Sequence, residues 1–437
     1  MKNSKKLLLA SLIVLSNTAF SQEIYNKDGL EVGVGGFLNL GVKSANYDLD
    51  KATNNYSSVT DYENSKTGID EDAALFNVNF KKKVNNFEFG GFMRYGASYE
   101  NNLERNGGEL YAKYNFNEKL SLKYQKFDYG YTKLAYDSSG WYPVVVTGKE
   151  NGTGYQLDLS APRQWRSLVL DNDVSQLGNA FLGLGMTGIS WAGGEFTPNG
   201  KVWNSFMAYA TNYVDYAIKP NALNLEYNNG KLGVISSVVF NNQEVSDSTG
   251  GATATNKGLT AKASYKINDK TLVGGGVSYG DGKTDYTSLT DTTTEIIAQN
   301  AYYQTNIKGF DIYTEVAHSK YELTGTNAYS DSDSEKKLIG AYGKVSKFTK
   351  YGIPAVELKV AQSTFDKVNG TEYSDAQTNT LVEITPSYTV FIKKIPGAMA
   401  SVNATLGKYQ SENINGTSGN DADGTQVKVG TYLTYFF

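Results

Sequence analysis

Residues with catalytic potential are scarce in this chain. It contains one histidine, His318, and no cysteine. His318 shares an alternating face with Ile312 and Val316. A serine acting from that face would stand two residues further on, where the chain has Lys320, and Ser319 points to the other face. No phosphate-binding glycine loop, HExxH or GxSxG motif occurs. The sequence therefore predicts neither catalysis nor a cofactor.

Two acidic stretches contain the residue types that bind calcium. One runs from Asp421 to Gly424, and the other alternates Asp and Ser over residues 331–335. Neither has the full ligand spacing of a calcium loop. The absence of cysteine also excludes disulfides and thiolate metal sites. We therefore expect no metal site and interpret both stretches as surface loops.

The N-terminal residues have the pattern of a secretory signal. Three lysines precede an apolar run at residues 7–15, and Ala19 and Ser21 have the small side chains expected before a cleavage site. The apolar run is too short to span a bilayer, which needs about 20 residues. We predict that residues 1–21 are a cleaved signal peptide and that residues 22–437 form one exported domain.

The composition of the chain favours a β-structure with an aromatic, partly apolar surface. It contains 33 Tyr, 19 Phe and 45 Gly, and no second long apolar run follows the signal, which excludes helical membrane spans. Its formal net charge of −4 argues against nucleic acid as a partner. Such a composition suits a barrel that is apolar outside, polar inside and ringed by aromatics. A secreted β-solenoid or adhesin is the alternative.

A two-residue period recurs along the exported chain. Apolar residues alternate with polar ones in segments such as 74–80, 120–124 and 259–267, which predicts strands of about ten residues. Asn228-Asn229-Gly230-Lys231 between two such segments predicts a hairpin. Short connections are predicted near residues 81–86, 117–119, 228–230, 268–270, 308–309, 347–353 and 392–396. Long polar connections are predicted near residues 43–71, 241–256, 281–294, 322–335, 364–379 and 409–425.

This pattern predicts an all-β fold, a transmembrane antiparallel barrel with short periplasmic turns and long extracellular loops. In lipid every backbone polar group must be paired internally, and a closed barrel of strands satisfies that condition. The count is 18 strands if a further hairpin runs through residues 181–191 and 201–210, and 16 strands without it.

Both ends of the exported chain resemble known families. Residues 426–437 end on Phe437 with Tyr435 two residues before it, which resembles the C-terminal insertion signal of bacterial outer-membrane β-barrels. Residues 22–29, QEIYNKDG, resemble the mature start of the general porins of Gram-negative bacteria. The resemblance implies that the barrel-assembly machinery reads the last strand, which then closes against the first. It also implies homotrimers in the outer membrane, among lipid and lipopolysaccharide, that pass ions and small hydrophilic solutes.

Charged residues inside the predicted strands indicate an aqueous interior. A lysine facing lipid in mid-strand would cost about 2–4 kcal/mol, so charges opposite the apolar face should point into a lumen. The residues placed in this way are Arg94, Lys113, Lys123, Lys262, Lys266, Glu315, Glu357 and Lys359. A solvated face of a soluble sheet is the alternative interpretation.

The resemblance also implies a constriction. In porins the loop at the position of residues 132–180 folds inward and narrows the pore, and opposed charges at such a point select ions. The candidate charges are Asp171, Asp173, Arg163 and Arg166 in the loop, with Arg94, Lys113 and Lys123 on the facing wall.

Two other functions stay open at this point. In a substrate-selective barrel, for oligosaccharides for example, lumen tyrosines would stack on sugars, and Tyr129, Tyr131, Tyr136 and Tyr142 are the candidates. The same tyrosines would also suit an interfacial aromatic girdle. In a surface receptor or adhesin, the long loops would matter more than the lumen.

Overall fold

The computed structural model describes residues 22–50, 62–69, 74–97, 104–127, 221–245, 252–268, 270–286, 292–326, 332–347, 349–368, 371–395, 398–413, 418 and 421–436. These residues form eighteen β-strands. The first nine are β1 (Gln22–Lys27), β2 (Leu30–Asp50), β3 (Tyr62–Ile69), β4 (Ala74–Val84), β5 (Phe87–Ala97), β6 (Glu104–Asn115), β7 (Leu120–Phe127), β8 (Asn221–Asn228) and β9 (Leu232–Val245). The other nine are β10 (Ala252–Asn268), β11 (Thr271–Tyr286), β12 (Thr292–Ile307), β13 (Phe310–Thr326), β14 (Ser332–Lys347), β15 (Ile353–Val368), β16 (Thr371–Phe391), β17 (Ala398–Glu412) and β18 (Ala422–Phe436). Within these ranges no helix is long and apolar enough to cross a membrane.

The strands pair into a closed antiparallel ring. From β4 to β18 each strand pairs with the next one along the chain. Strand β18 then pairs with β2, and β2 pairs with β4. The described strands therefore complete a ring of sixteen positions. The predicted all-β antiparallel barrel is confirmed, as is the contact of the last strand with the strand that begins at Leu30.

Strands β1 and β3 add to this ring without widening it. Strand β3 pairs with one part of β2, from Val42↔Ile69 to Leu49↔Tyr62, and β4 pairs with the part from residue 30 to residue 38. The two strands thus share one position in the ring. Strand β1 folds back on β2 through Asp28 and Gly29, whose φ angles of 53° and 74° suit a tight hairpin. The predicted loop over residues 43–71 is therefore wrong for 43–50 and 62–69, which are strand.

Many strands run further than the predicted ten residues. Strands β10 to β18 have 15 to 21 residues each. The long connection predicted at 364–379 shrinks to residues 369–370, and β15 and β16 still pair at Val368↔Thr371. About ten tilted residues suffice to cross the hydrocarbon core of a bilayer. The remaining residues therefore extend the barrel beyond it as paired hairpins.

The pairing of β7 with β8 decides between the two predicted strand counts. These strands pair directly from Leu120↔Tyr227 to Lys126↔Asn221. No strand lies between β7 and β8 over that length. The ring therefore has sixteen strand positions, the lower of the two predicted counts. The further hairpin predicted at 181–191 and 201–210 lies outside the described residues.

The apolar side chains lie on the outer face of the ring. On β18 the side chains of Val427, Val429, Leu433 and Tyr435 are 38–46% exposed. Towards the short connections this face becomes aromatic, with the Phe87 and Tyr114 rings 4.9 Å apart and the Tyr114 and Phe116 rings 5.1 Å apart. A band of exposed aromatics flanking an apolar surface is the arrangement expected at a membrane interface.

Candidate functional site

Ionisable side chains line the opposite, inner face of β2 to β8. Lys113 on β6 and Lys123 on β7 are register partners there. Two like charges placed directly across a sheet repel each other. The Lys113 Nζ atom lies 2.6 Å from a carboxylate oxygen of Glu226, and the Lys123 Nζ atom lies 4.1 Å from the centroid of the Tyr111 ring. Each ammonium group is thereby stabilised by a different neighbour.

Glu226 is the acidic partner that sequence reasoning missed. It lies on β8, between Leu225 and Tyr227 of the outer face, and also accepts a 3.4 Å hydrogen bond from the Ser121 hydroxyl. Its side chain is 26% exposed and that of Lys113 is 25% exposed. Both groups therefore keep contact with water although they point inward.

Glu88 extends this network towards the start of the chain. It lies on β5 as the register partner of Lys113, accepts a 2.8 Å hydrogen bond from the Tyr111 hydroxyl, and lies 3.8 Å from the Lys83 Nζ atom. Glu31 and Lys81, which pair β2 with β4, form a further 2.6 Å ion pair. We refer to Glu31, Lys81, Lys83, Glu88, Tyr111, Lys113, Ser121, Lys123 and Glu226 as the charged wall.

A glycine positions the tyrosine of the charged wall. Gly90 and Tyr111 are register partners, and a Cβ atom at Gly90 would lie 2.6 Å from the Tyr111 hydroxyl and 2.8 Å from the Phe80 carbonyl oxygen. Gly274 and Tyr302 repeat this arrangement between β11 and β12. In both pairs the missing side chain allows the ring to lie against the backbone, an aromatic cover for a strand glycine. Tyr111 is thus held where it contacts both Glu88 and Lys123.

The structure brings some of the predicted site residues together. Lys113 and Lys123 belong to the charged wall, and Glu357 lies on the inner face of β15 with 6% exposure. Arg94 pairs with Asn77 in the ladder of β4 and β5, on the alternating face of Glu88. The side chain of Arg94 lies outside the described part of the chain.

Most of the other predicted residues lie outside the described part of the chain. The ones outside the described residues are Asp171, Asp173, Arg163, Arg166, Phe437, Tyr129, Tyr131, Tyr136, Tyr142 and the side chains of Lys262, Glu315 and Lys359. Lys266 is exposed next to a short connection. Tyr435 is on the outer face of β18, 38% exposed. Among the described residues, no group of three or more His, Asp or Glu side chains is arranged to hold a metal ion.

The closed ring, its apolar outer face and its charged wall define a transmembrane antiparallel β-barrel. The fold is similar to that of OmpT (in-vitro folded), an outer membrane protein of Vibrio cholerae, at 11% identity over 95% of this chain and 100% of that chain, with a TM-score of 0.50. The outer membrane channel DcaP of Acinetobacter baumannii is 11% identical over 95% of this chain and 100% of its own, with a TM-score of 0.49. The anion-selective porin from Comamonas acidovorans is 12% identical over 93% and 100%, with a TM-score of 0.48.

At such low identity the likeness concerns the fold alone. No protein-family model matches the chain, and no curated protein sequence matches it. In outer-membrane barrels the short turns face the periplasm and the long loops face the outside. The short connections lie at one end of this barrel, and we refer to that end as the periplasmic rim, because it is the end that would face the periplasm in an outer-membrane barrel.

Proposed function

We propose that the chain forms a water-filled, porin-like channel in the bacterial outer membrane for passive diffusion of ions and small hydrophilic solutes. The observation that carries this proposal is the ring of sixteen described strand positions with ionisable groups on its inner face. Eight strands leave an interior that side chains fill, whereas sixteen to eighteen leave an aqueous channel. Partly exposed charges such as Lys113 and Glu226 suit a wet lumen and would be costly in a dry one. The function requires no catalytic residue and no cofactor.

The remaining parts of the proposal follow from the resemblance of the chain ends. Residues 1–21 direct export, and the barrel-assembly machinery reads Tyr435 and Phe437. Residues 132–180 narrow the pore, with Asp171 and Asp173 opposite basic groups. The barrel assembles as a homotrimer among outer-membrane lipid and lipopolysaccharide.

Single-channel recording of refolded residues 22–437 in planar bilayers tests the proposal. We expect stepwise, ohmic openings, grouped in threes if the protein is a trimer, because an open lumen passes ions without gating chemistry. Protein denatured by heat before addition is the control. A heat-modifiable, folded barrel that carries no current would contradict the channel function and favour a receptor or adhesin. Current blocked in a saturable way by added sugars would indicate the substrate-selective barrel.

Deletion of residues 132–180 should raise the single-channel conductance, because it removes the proposed constriction. Lys126 and Asn221 are register partners, so the two ends of the interval between β7 and β8 are adjacent and a shortened connection can join them. We expect larger current steps and passage of larger neutral polymers. A matched shortening of the connection between β9 and β10, at residues 246–251, is the control and should leave conductance unchanged. Unchanged conductance in both variants would contradict the assignment of the constriction.

A further inference from the structure

The periplasmic rim is strongly enriched in lysine. Each of the eight short connections has a lysine within it or within two residues of it. These ten lysines are Lys27, Lys83, Lys119, Lys231, Lys270, Lys308, Lys347, Lys350, Lys393 and Lys394. All are exposed except Lys347, which is half-buried. The rim is thus basic although the chain as a whole has a net charge of −4.

Acidic residues offset this charge only in part. The same stretches contain six, namely Asp28, Glu31, Glu88, Glu118, Asp269 and Asp311. Glu31 and Glu88 point to the inner face, where Glu31 contacts Lys81 and Glu88 contacts Tyr111 and Lys83. Lys83 therefore belongs to the charged wall and not to the outer side of the rim, which leaves nine lysines there. Asp311 also alternates to the inner face, beside Asn306. The outer side of the rim therefore keeps an excess of positive charge.

Three of the rim lysines lie over exposed aromatic rings, of which Tyr265 and Phe310 are on the outer face and Tyr351 is in the connection between β14 and β15. The distances from Nζ to the ring centroid are 5.1 Å for Lys231 and Tyr265, 4.2 Å for Lys347 and Phe310, and 4.6 Å for Lys350 and Tyr351. The three rings are 40–71% exposed. Interfacial aromatics of membrane proteins lie at the level of the lipid headgroups. The ammonium groups of Lys231 and Lys347 are therefore at headgroup height and on the lipid side of the wall, and that of Lys350 lies at the turn next to β14.

We propose that this rim is a binding surface for anionic phospholipids of the periplasmic leaflet, whose phosphodiester groups the lysines contact. The opposite end of the barrel offers a contrast. There the outward lysines already have acidic partners, since Lys320 contacts Glu322 and Glu335 and Lys337 lies 2.6 Å from Asp366. Lys231 and Lys347 lie over rings that face the membrane, where a lipid headgroup can reach their ammonium groups. A soluble polyanion would instead approach the turns from the periplasm, so the position of these lysines favours a lipid.

The attraction should be electrostatic and additive. A lysine near an anionic membrane surface strengthens association about fivefold. The field of an exposed charge falls off over about 10 Å at 0.1 M salt and about 3 Å at 1 M. A preference for anionic lipid should therefore be strong at low ionic strength and nearly lost at high ionic strength.

Electron paramagnetic resonance with spin-labelled lipids tests the proposal on the folded chain in phosphatidylcholine vesicles. We expect labelled phosphatidylglycerol to associate with the barrel at least threefold more strongly than labelled phosphatidylcholine at low salt. The variant K231Q/K347Q/K350Q should lose at least half of that preference. The matched variant K320Q/K337Q/K408Q removes the same number of charges from the opposite end of the barrel and should keep that preference. Lys408 is exposed there on the outer face of β17, on the alternating face of Val402 and Leu406.

Several results would overturn the proposal. They are equal association of the two lipids with the unmodified barrel, a preference that survives high salt, and equal loss in both variants. Binding of soluble polyphosphate to the rim without any lipid preference would assign the surface to a soluble partner instead. Heat-modifiable electrophoretic mobility establishes that each variant is folded. If a variant does not fold, the dependence of the lipid preference of the unmodified barrel on salt concentration tests whether the rim binds anionic lipid through its charge. The measurement needs only a folded barrel, so it is independent of channel activity.

Discussion

Replacement of Glu226 by glutamine is expected to lower the ratio of cation to anion permeability about fivefold. The change keeps the size of the side chain and removes the negative charge 2.6 Å from the Lys113 Nζ atom, so the ammonium charge acts on the lumen without compensation. A unit charge about 8 Å from a passing ion in water contributes about 0.5 kcal/mol, which is about 2.3-fold for ions of each sign and therefore about fivefold in their ratio. The reversal potential in a KCl gradient measures the ratio.

Three further variants separate this cause from a change in overall charge. Lys113→Gln should shift selectivity towards cations, and the double variant E226Q/K113Q should return it close to the original value. Glu335→Gln breaks a 3.1 Å contact to Lys320 on the outer face and should leave the reversal potential unchanged. If E335Q moves the potential as far as E226Q does, the charged wall does not set selectivity. All four variants should still conduct, which keeps this test separate from that of the channel itself.

The parts of the strands that cross the bilayer could be predicted from the sequence. Lipid on one side and water on the other force apolar and polar residues to alternate, as they do from Val427 to Tyr435 on β18. Beyond the bilayer both faces of a strand are in water, so apolar and polar residues no longer need to alternate along it. Strand β3, YENSKTGI, and the paired ends of β15 and β16 consist largely of polar residues and were predicted as loops for this reason. Their pairing depends on partners that local patterns do not reveal.

The inner position of a charge could be predicted, but its partner could not. Lys113 and Lys123 interrupt an apolar alternation, which marks them as inward-facing, and Glu226 obeys the same rule between Leu225 and Tyr227. The pairing of Lys113 with Glu226 spans 113 positions in the chain and depends on the register of β6, β7 and β8 together. A shift of one residue in any of these ladders would exchange the two faces of a strand. The contact between Tyr111 and Gly90 is hidden from the sequence for the same reason.

Replacement of Gly90 by alanine is expected to lower the free energy of unfolding by about 1–3 kcal/mol, the usual cost of an added methyl group without space. The new Cβ atom would lie 2.6 Å from the Tyr111 hydroxyl and 2.8 Å from the Phe80 carbonyl oxygen. The ring can swing away, but the carbonyl belongs to the neighbouring strand and can yield only if the ladder shifts. Urea unfolding of the barrel in lipid vesicles, followed by intrinsic fluorescence, measures the loss.

Gly343→Ala is the matched control, because Gly343 is also within a strand and a Cβ atom there meets nothing within 4 Å. Its effect should stay below about 0.5 kcal/mol. Movement of the Tyr111 ring in G90A would also release its hydrogen bond to Glu88 and its contact with Lys123, so ion selectivity should change in G90A and not in G343A. If both variants unfold alike and conduct alike, Tyr111 does not lie over Gly90. The charged wall would then lack the residue that links Glu88 on β5 to Lys123 on β7.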